Sequence, residues 1–148
     1  MSDERMRALT LWQPWASIVA SGVKLIENRP WAPPAKLLGE RIAIHAGMRW
    51  DQPSDDKYME LRWPGDPVYL RGEVPQGAVI ATARVERFAR SVSEIPDDQH
   101  RWFFGPFCWV LADVNALERP IECPGRQRVW RLSSEVTAEV RKQCGGIL

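Results

Sequence analysis

The sequence predicts one α+β domain, because it combines two kinds of hydrophobic pattern within the length of a single domain. Several short segments alternate apolar and polar residues as half-buried strands do, and others repeat apolar residues at helical spacing. A chain of 148 residues is close to the usual size of one domain. A hydrophobic content of 45%, with eight tryptophans, favours a packed core over disorder. We therefore expect residues 1–148 to form one domain.

The first strand, Ala8–Trp12, leads into a short helix. Pro14 suits the first helical position, where its missing N–H costs no hydrogen bond and its fixed φ is already helical. Trp15 and Ile18 then recur on one apolar face. Gly22 ends the helix, because glycine adopts the left-handed cap conformation without steric cost.

The segment after this helix holds the densest chemistry in the chain. Lys24–Trp31 alternates as a strand does, with Lys24 on one face and Glu27 and Arg29 on the other. The alternation does not tell which face is buried. Ionisable groups on both faces of a strand, beside a helix start with free backbone N–H groups, indicate the rim of a site for a polar or anionic ligand.

The next two predicted strands also carry candidate site residues. Arg41–Ala46 places His45 opposite the aliphatic residues, where it is either structural or a ligand contact. Gly77–Phe88 is the strongest β-segment, and its alanines suit a tight barrel interior. Arg84, on the other face, forms a cross-strand ion pair or faces a cleft.

Two segments between and after these strands are open to more than one interpretation. Asp51–Pro75 contains a helix predicted over Asp55–Trp63 with Ser54 as its cap, and the rest is either an ordinary insertion or a lid. The aromatic run Trp102–Phe107 either packs in the core or offers a surface on which bases stack.

The C-terminal part of the chain begins with a strand over Phe107–Leu117 and closes with a strand and a helix. The last strand, Arg128–Leu132, is accompanied by the densest basic cluster, which either follows a phosphate backbone or protects an edge strand. A serine then caps a final helix that Gly145 ends, and we interpret this helix as scaffold. The cluster is Arg126, Arg128 and Arg131, and the candidate caps are Ser133 and Ser134.

Charge and cysteine usage narrow the function classes. A formal net charge of +1 provides no bulk attraction to nucleic acid, so such binding has to depend on a local patch. Sixteen of the 20 basic residues are arginine, which suits bidentate phosphate contacts or stacking. The widely separated Cys108, Cys123 and Cys144 indicate neither a disulfide framework nor a zinc site. Met1–Met6 is short and polar, and we expect a cytoplasmic protein without membrane contact, metal or cofactor.

The opening motif over Gln13–Trp31, which follows the pattern QPWASxxxSGxKxIExRxW, resembles that of the ASCH domains, a family similar to the PUA domains of RNA-modifying proteins. The later strands fall in the order that this family shows, so the resemblance spans about residues 8–132. It implies a small PUA-like β-barrel with flanking helices and a cleft lined by the opening motif.

The leading hypothesis is a module that binds RNA, another nucleic acid or a nucleotide-like ligand. Glu27 favours contact with a base, because a carboxylate repels phosphate but accepts a hydrogen bond from an amino group such as cytosine N4. The alternative is that Glu27 only pairs with Arg29 or Lys24. The predicted ligand-binding residues are Gln13, Trp15, Ser17, Arg29, His45, Arg84, Arg126 and Arg128.

A second hypothesis is catalytic, with Lys24 and Glu27 as the catalytic residues. A lysine removed from water has a lowered pKa and serves as a general base, while a carboxylate passes a proton to a leaving amine. Some small ASCH proteins resemble metal-independent amidohydrolases that deacetylate N4-acetylcytidine with a lysine, a threonine three residues on and a later glutamate. Lys24 matches the lysine, Glu27 occupies the threonine position, and the candidates for the glutamate are Glu94, Asp97 and Asp98 in Ser91–His100.

Two further alternatives rank lower. A ribonuclease would use Lys24, Arg29 and His45 as base and phosphate stabilisers. A protein-interaction adaptor would use Trp50, Trp63 and the Asp51–Pro75 segment. The sequence does not predict the oligomeric state.

Overall fold

The computed structural model describes residues 3–145, so Met1 and Ser2 of the predicted polar start lie outside the described residues. Within this described range, six strands form one mixed sheet in the order β2-β5-β4-β3-β1-β6, in which only β1 and β3 pair in parallel. The predicted α+β class is confirmed. The strands are β1 (Arg7–Gln13), β2 (Ile26–Asn28), β3 (Arg41–Trp50), β4 (Ala78–Ala89), β5 (Cys108–Glu122) and β6 (Val129–Arg131); the helices are α1 (Trp15–Ala20), α2 (Gln52–Leu61) and α3 (Ser134–Cys144).

The sheet curves around its core, so that strands distant in its order approach each other. Leu11 of β1, Ile44 of β3 and Leu111 of β5 are buried in one apolar cluster. Arg29, just after β2, donates from Nη2 to the Thr10 carbonyl of β1 at 3.1 Å, although three strands separate β2 from β1 in the sheet. Within residues 3–145 no backbone ladder joins β2 to β1 or β6, so barrel closure stays a prediction. We call the gap between β1 and β2 the seam.

Local rules account for the helix that precedes the seam. Pro14 is the N-cap of α1 rather than its first residue, so the helix begins one position later than predicted. Gly22 has a φ of 84°, the left-handed conformation that glycine adopts without strain. The strand after it is shorter than predicted and pairs with β5 from Ile26 to Asn28. The Leu25 carbonyl still accepts from the Leu111 N–H of β5 at 2.8 Å, while the Leu25 N–H bonds to the Gln99 side chain at 2.7 Å.

The second helix differs from its prediction at both ends. α2 covers Gln52–Leu61, and its N-cap is Asp51 rather than Ser54. The Asp51 carboxylate accepts a hydrogen bond from the Ser54 N–H at 3.2 Å, so the predicted cap residue is the donor of the cap contact. Pro53 is tolerated in the first turn, where its missing N–H has no helical partner. The cap of α3 is as predicted, since Ser133 accepts from the Val136 N–H at 3.1 Å.

The aromatic run Trp102–Phe107 belongs to the core at its first position. Trp102 is fully buried and stacks on Tyr58, with ring centres 5.4 Å apart. The core interpretation is thus confirmed for Trp102, and the stacking-surface interpretation is wrong for this residue. Phe104, by contrast, is 46% exposed. Over residues 3–145, no helix has the length and apolar character needed to cross a membrane.

Candidate functional site

A cleft of about 490 Å³ opens at the seam. Strand β1, the start of α1, the segment of β2 and the loop before β6 all contribute to it, and we call it the seam cleft. Its position follows from the incomplete sheet, because a backbone ladder at the seam would fill this space. The lining residues are Thr10, Leu11, Trp12, Trp15, Glu27, Asn28, Arg29, Trp31, Arg126, Gln127 and Arg128.

Tryptophan and arginine side chains dominate the seam cleft. The guanidinium carbons of Arg128 and Arg29 lie 5.7 Å and 5.9 Å from the centre of the Trp31 ring. Trp31 packs edge-to-face on Trp109 at 5.1 Å, and the Trp109 indole N–H donates to the Trp31 carbonyl at 2.9 Å. These contacts hold Trp31 in one place, with two cations at its ring.

Two cations of the cleft are free of carboxylate partners. Arg126 and Arg128 are exposed, and neither forms an ion pair within the described part of the chain. Arg128 has a φ of 59°, a left-handed conformation that costs a non-glycine residue about 1–2 kcal/mol. The loop before β6 thus presents two unpaired guanidinium groups to the cleft, one of them on strained backbone.

Glu27 is the carboxylate of the seam cleft, and two cations hold it. Its Oε2 accepts from the Arg29 Nε at 3.0 Å, and its Oε1 lies 3.6 Å from the Lys24 Nζ. The Lys24 side chain is 1% exposed and donates to the Ile26 carbonyl at 2.5 Å. Burial lowers the pKa of Lys24, although the nearby Glu27 carboxylate opposes this shift. Lys24 therefore lies behind the cleft, while Glu27 and Arg29 face into it.

His45 lies beside the seam cleft, and both of its ring nitrogens are engaged. Because the Cys123 carbonyl can only accept, Nε2 donates to it at 2.8 Å, and Nδ1 then accepts from the Thr10 hydroxyl at 3.2 Å. Burial lowers the pKa of His45, against the raising effect of the bond to Cys123. Gly125 packs so closely on the ring that a Cβ there would lie 2.6 Å from His45 Cε1. This environment favours a neutral, structural histidine.

Three other predicted site residues are also used inside the fold. Gln13 is buried and donates to the Pro75 carbonyl at 2.7 Å and to the Ser17 Oγ at 2.9 Å. Its Oε1 accepts from the Ser17 N–H at 3.0 Å, so this N–H in the first turn of α1 is bonded within the chain. Arg84 pairs with Asp113 on β5, as the cross-strand interpretation proposed.

The structure therefore divides the predicted site residues into two groups. Those in the seam cleft are Trp15, Glu27, Arg29, Arg126 and Arg128, and those outside its lining are Gln13, Ser17, Lys24, His45 and Arg84. The lining residues that the prediction missed are Thr10, Leu11, Trp12, Asn28, Trp31 and Gln127. Thr10 and Trp12 alternate outward along β1 and could have been found from that alternation. Across residues 3–145, no three His, Cys, Asp or Glu side chains are grouped as a metal site requires.

The mixed sheet with its three flanking helices is the fold of ASCH domains, as the opening motif predicted. The crystal structure of ASCH from Zymomonas mobilis superposes with a TM-score of 0.53, covering 95% of this chain and 96% of that chain at 22% identity. A serine-to-alanine mutant of that protein gives a TM-score of 0.54, with 96% and 98% coverage at 21% identity.

Two relatives also match the chain in sequence. The chain is 21% identical to Activating signal cointegrator 1 of Homo sapiens and 23% identical to that of Mus musculus, in each case over 90% of its length. It spans 23% of the length of either relative. No family model matches the chain.

Proposed function

We propose that the chain is a nucleic-acid-binding module that holds an RNA nucleotide in the seam cleft. The observation that carries this proposal is the surface of the cleft, where three tryptophans and three arginines surround one carboxylate. Any base can stack on an aromatic face, and each such contact contributes about 1–3 kcal/mol. The guanidinium groups of Arg126 and Arg128 are the natural partners of phosphate.

Glu27 favours contact with a base edge within this proposal. A carboxylate in a cleft repels phosphate but accepts hydrogen bonds from the amino group of cytosine. Its two oxygens offer about four acceptor positions. The contacts with Arg29 and Lys24 leave some of these free while they fix the orientation of the carboxylate. Base contacts at Glu27 and phosphate contacts at Arg126 and Arg128 are then separate functions of one cleft.

We expect Trp31→Ala and Arg128→Gln to weaken binding of a fluorescein-labelled single-stranded RNA in different ways. Loss of one stacking contact of about 1–3 kcal/mol lowers the affinity roughly 5- to 150-fold for Trp31→Ala. For Arg128→Gln, loss of one phosphate contact makes the slope of log affinity against log salt concentration less steep by about 0.7. Fluorescence anisotropy titrations at several salt concentrations measure both quantities.

Arg119→Gln is the matched control, because it removes the same charge elsewhere. Arg119 is exposed on β5 and pairs with Glu118 and Glu139 at 3.5 Å and 3.8 Å. An equal loss of salt dependence in Arg119→Gln and Arg128→Gln would contradict a site in the seam cleft. Absence of RNA binding by the unaltered chain would exclude the proposal and return attention to a protein-interaction role.

Deacetylation of N4-acetylcytidine is a second candidate, favoured by the buried Lys24 amine 3.6 Å from the carboxylate of the cleft. In that reaction a water attacks the acetyl carbonyl and breaks the C–N bond. Lys24, as general base, takes the proton of this water through Glu27, and Glu27 then passes a proton to the departing cytidine amine as acetate leaves. We expect the unaltered chain to release cytidine, detected by mass spectrometry, and Lys24→Met to release none. Turnover that does not exceed the Lys24→Met level would remove this candidate and leave the binding proposal.

A further inference from the structure

A second hollow of about 800 Å³ adjoins the seam cleft. Its walls are Gly47–Arg49 of β3, Gln76–Gly77 before β4, Glu122 at the end of β5 and the loop after it, and we call it the β3 hollow. Both cavities fall in the range of about 300–1,000 Å³ typical of small-ligand sites. They share four lining residues, Thr10, Trp12, Arg126 and Gln127, so the two cavities lie side by side.

We infer that the two cavities form one groove for unpaired RNA of at least two consecutive nucleotides. This inference rests on the proposed function, because it takes the seam cleft as the site of the first nucleotide. The second nucleotide lies in the β3 hollow, and the phosphate that joins the two lies between them. We call the place where the two cavities meet the junction. The groove depends on two residues there, Trp12 and Arg126, which line both cavities.

Trp12 provides a fixed aromatic surface at this junction. It is 48% exposed, yet the Arg49 guanidinium stacks 3.9 Å from its ring centre. Arg49 in turn bonds through Nη2 to the Asp51 carboxylate at 3.0 Å, and Asp51 caps α2. An exposed tryptophan held in this way loses little conformational freedom when a ligand stacks on it. These contacts make Trp12 a preorganised surface for a base.

Arg126 provides the matching cation. It is exposed, it lines both cavities, and its guanidinium forms no ion pair with any carboxylate of residues 3–145. A phosphodiester has to lie where two neighbouring base sites meet, and that is the position of this guanidinium. A mononucleotide would use only one of the two cavities, so the arrangement favours an oligonucleotide.

The test compares the affinities of cytidine monophosphate and the dinucleotide cytidylyl-cytidine, measured by isothermal titration calorimetry. One added stacking contact of about 1–3 kcal/mol raises the affinity roughly 5- to 150-fold, so we expect a gain of this size for the dinucleotide. Met48→Glu should abolish the gain, because Met48 is 75% exposed in the β3 hollow and the new carboxylate repels phosphate. Trp12→Ala should reduce the gain, and Trp12→Phe should restore it.

Met59→Glu is the matched control, since Met59 is 45% exposed on α2 and lines neither cavity. It should keep the full gain. If cytidine monophosphate binds but the dinucleotide binds no better, or if Met48→Glu keeps the gain, the two-site groove is wrong and the proposed function stands. If neither ligand nor longer RNA binds, both the groove and the proposed function are wrong.

Discussion

Glu27→Gln should lower the free energy of unfolding by about 3 kcal/mol, because it leaves the buried Lys24 ammonium without its carboxylate partner. The side chains of Lys24 and Glu27 are 1% and 12% exposed. Breaking a buried ion pair by removing one partner typically costs about 3–5 kcal/mol. The Ile26 carbonyl still accepts from Lys24, which places the expected loss at the lower end. Urea denaturation at neutral pH measures it.

Lys24→Met is the informative comparison for this ion pair. It removes the buried charge itself, and Glu27 keeps its contact with Arg29 at 3.0 Å, so the loss of stability should be smaller than for Glu27→Gln. The double variant should for the same reason be more stable than Glu27→Gln alone. Equal stability of Glu27→Gln and the unaltered chain, within about 0.5 kcal/mol, would contradict a structural role for the pair.

The same lysine predicts a difference at alkaline pH. Burial lowers the pKa of Lys24 in the folded state, whereas the unfolded chain retains the ordinary value of about 10.4. Between these two values the unfolded state binds more protons, so the contribution of Lys24 to stability rises with pH. Below both values its contribution does not change with pH. The stability of the unaltered chain relative to Lys24→Met should therefore increase with pH over this window.

Trp102→Ala should destabilise the fold by about 3–5 kcal/mol, the usual cost of truncating a buried tryptophan. Trp102 packs on Tyr58 and meets the edge of Trp15 at 6.1 Å. Its indole N–H has no hydrogen-bond partner among the described residues, so the loss comes from packing. Thermal and urea denaturation provide the measurement, and the half-exposed Phe104 provides the control.

Phe104→Ala should change stability by less than about 1 kcal/mol, since its ring buries much less surface. Comparing the two variants separates packing from ligand contact in the aromatic run. A Trp102→Ala protein that keeps its stability and loses RNA affinity would show that this tryptophan is a stacking surface after all.

The sequence is most informative where a residue acts on its near neighbours in the chain. Gly22 ends α1 because of its conformational freedom, and Ser133 caps α3 through a contact three residues away. Such signals depend only on neighbouring positions. The period of Lys24–Trp31 likewise separates two faces, but it contains nothing about which face the curved sheet encloses.

The site is less predictable because its members meet only in the folded sheet. Gln13 and His45 are polar side chains whose partners lie 62 and 78 residues away, at Pro75 and Cys123. No local pattern distinguishes such internal use from ligand contact. The proximity of β1 and β2 is likewise a property of sheet curvature, and it brings Arg29 to Thr10 without any signal at either position.

The Arg29 guanidinium bonds within the domain and also has donors left for a ligand. A guanidinium has five N–H donors, and Arg29 donates one to the Glu27 carboxylate and one to the Thr10 carbonyl. The remaining donors stay available to whatever enters between the strands. A ligand that draws Arg29 away from Thr10 would therefore remove a contact between β1 and the segment after β2.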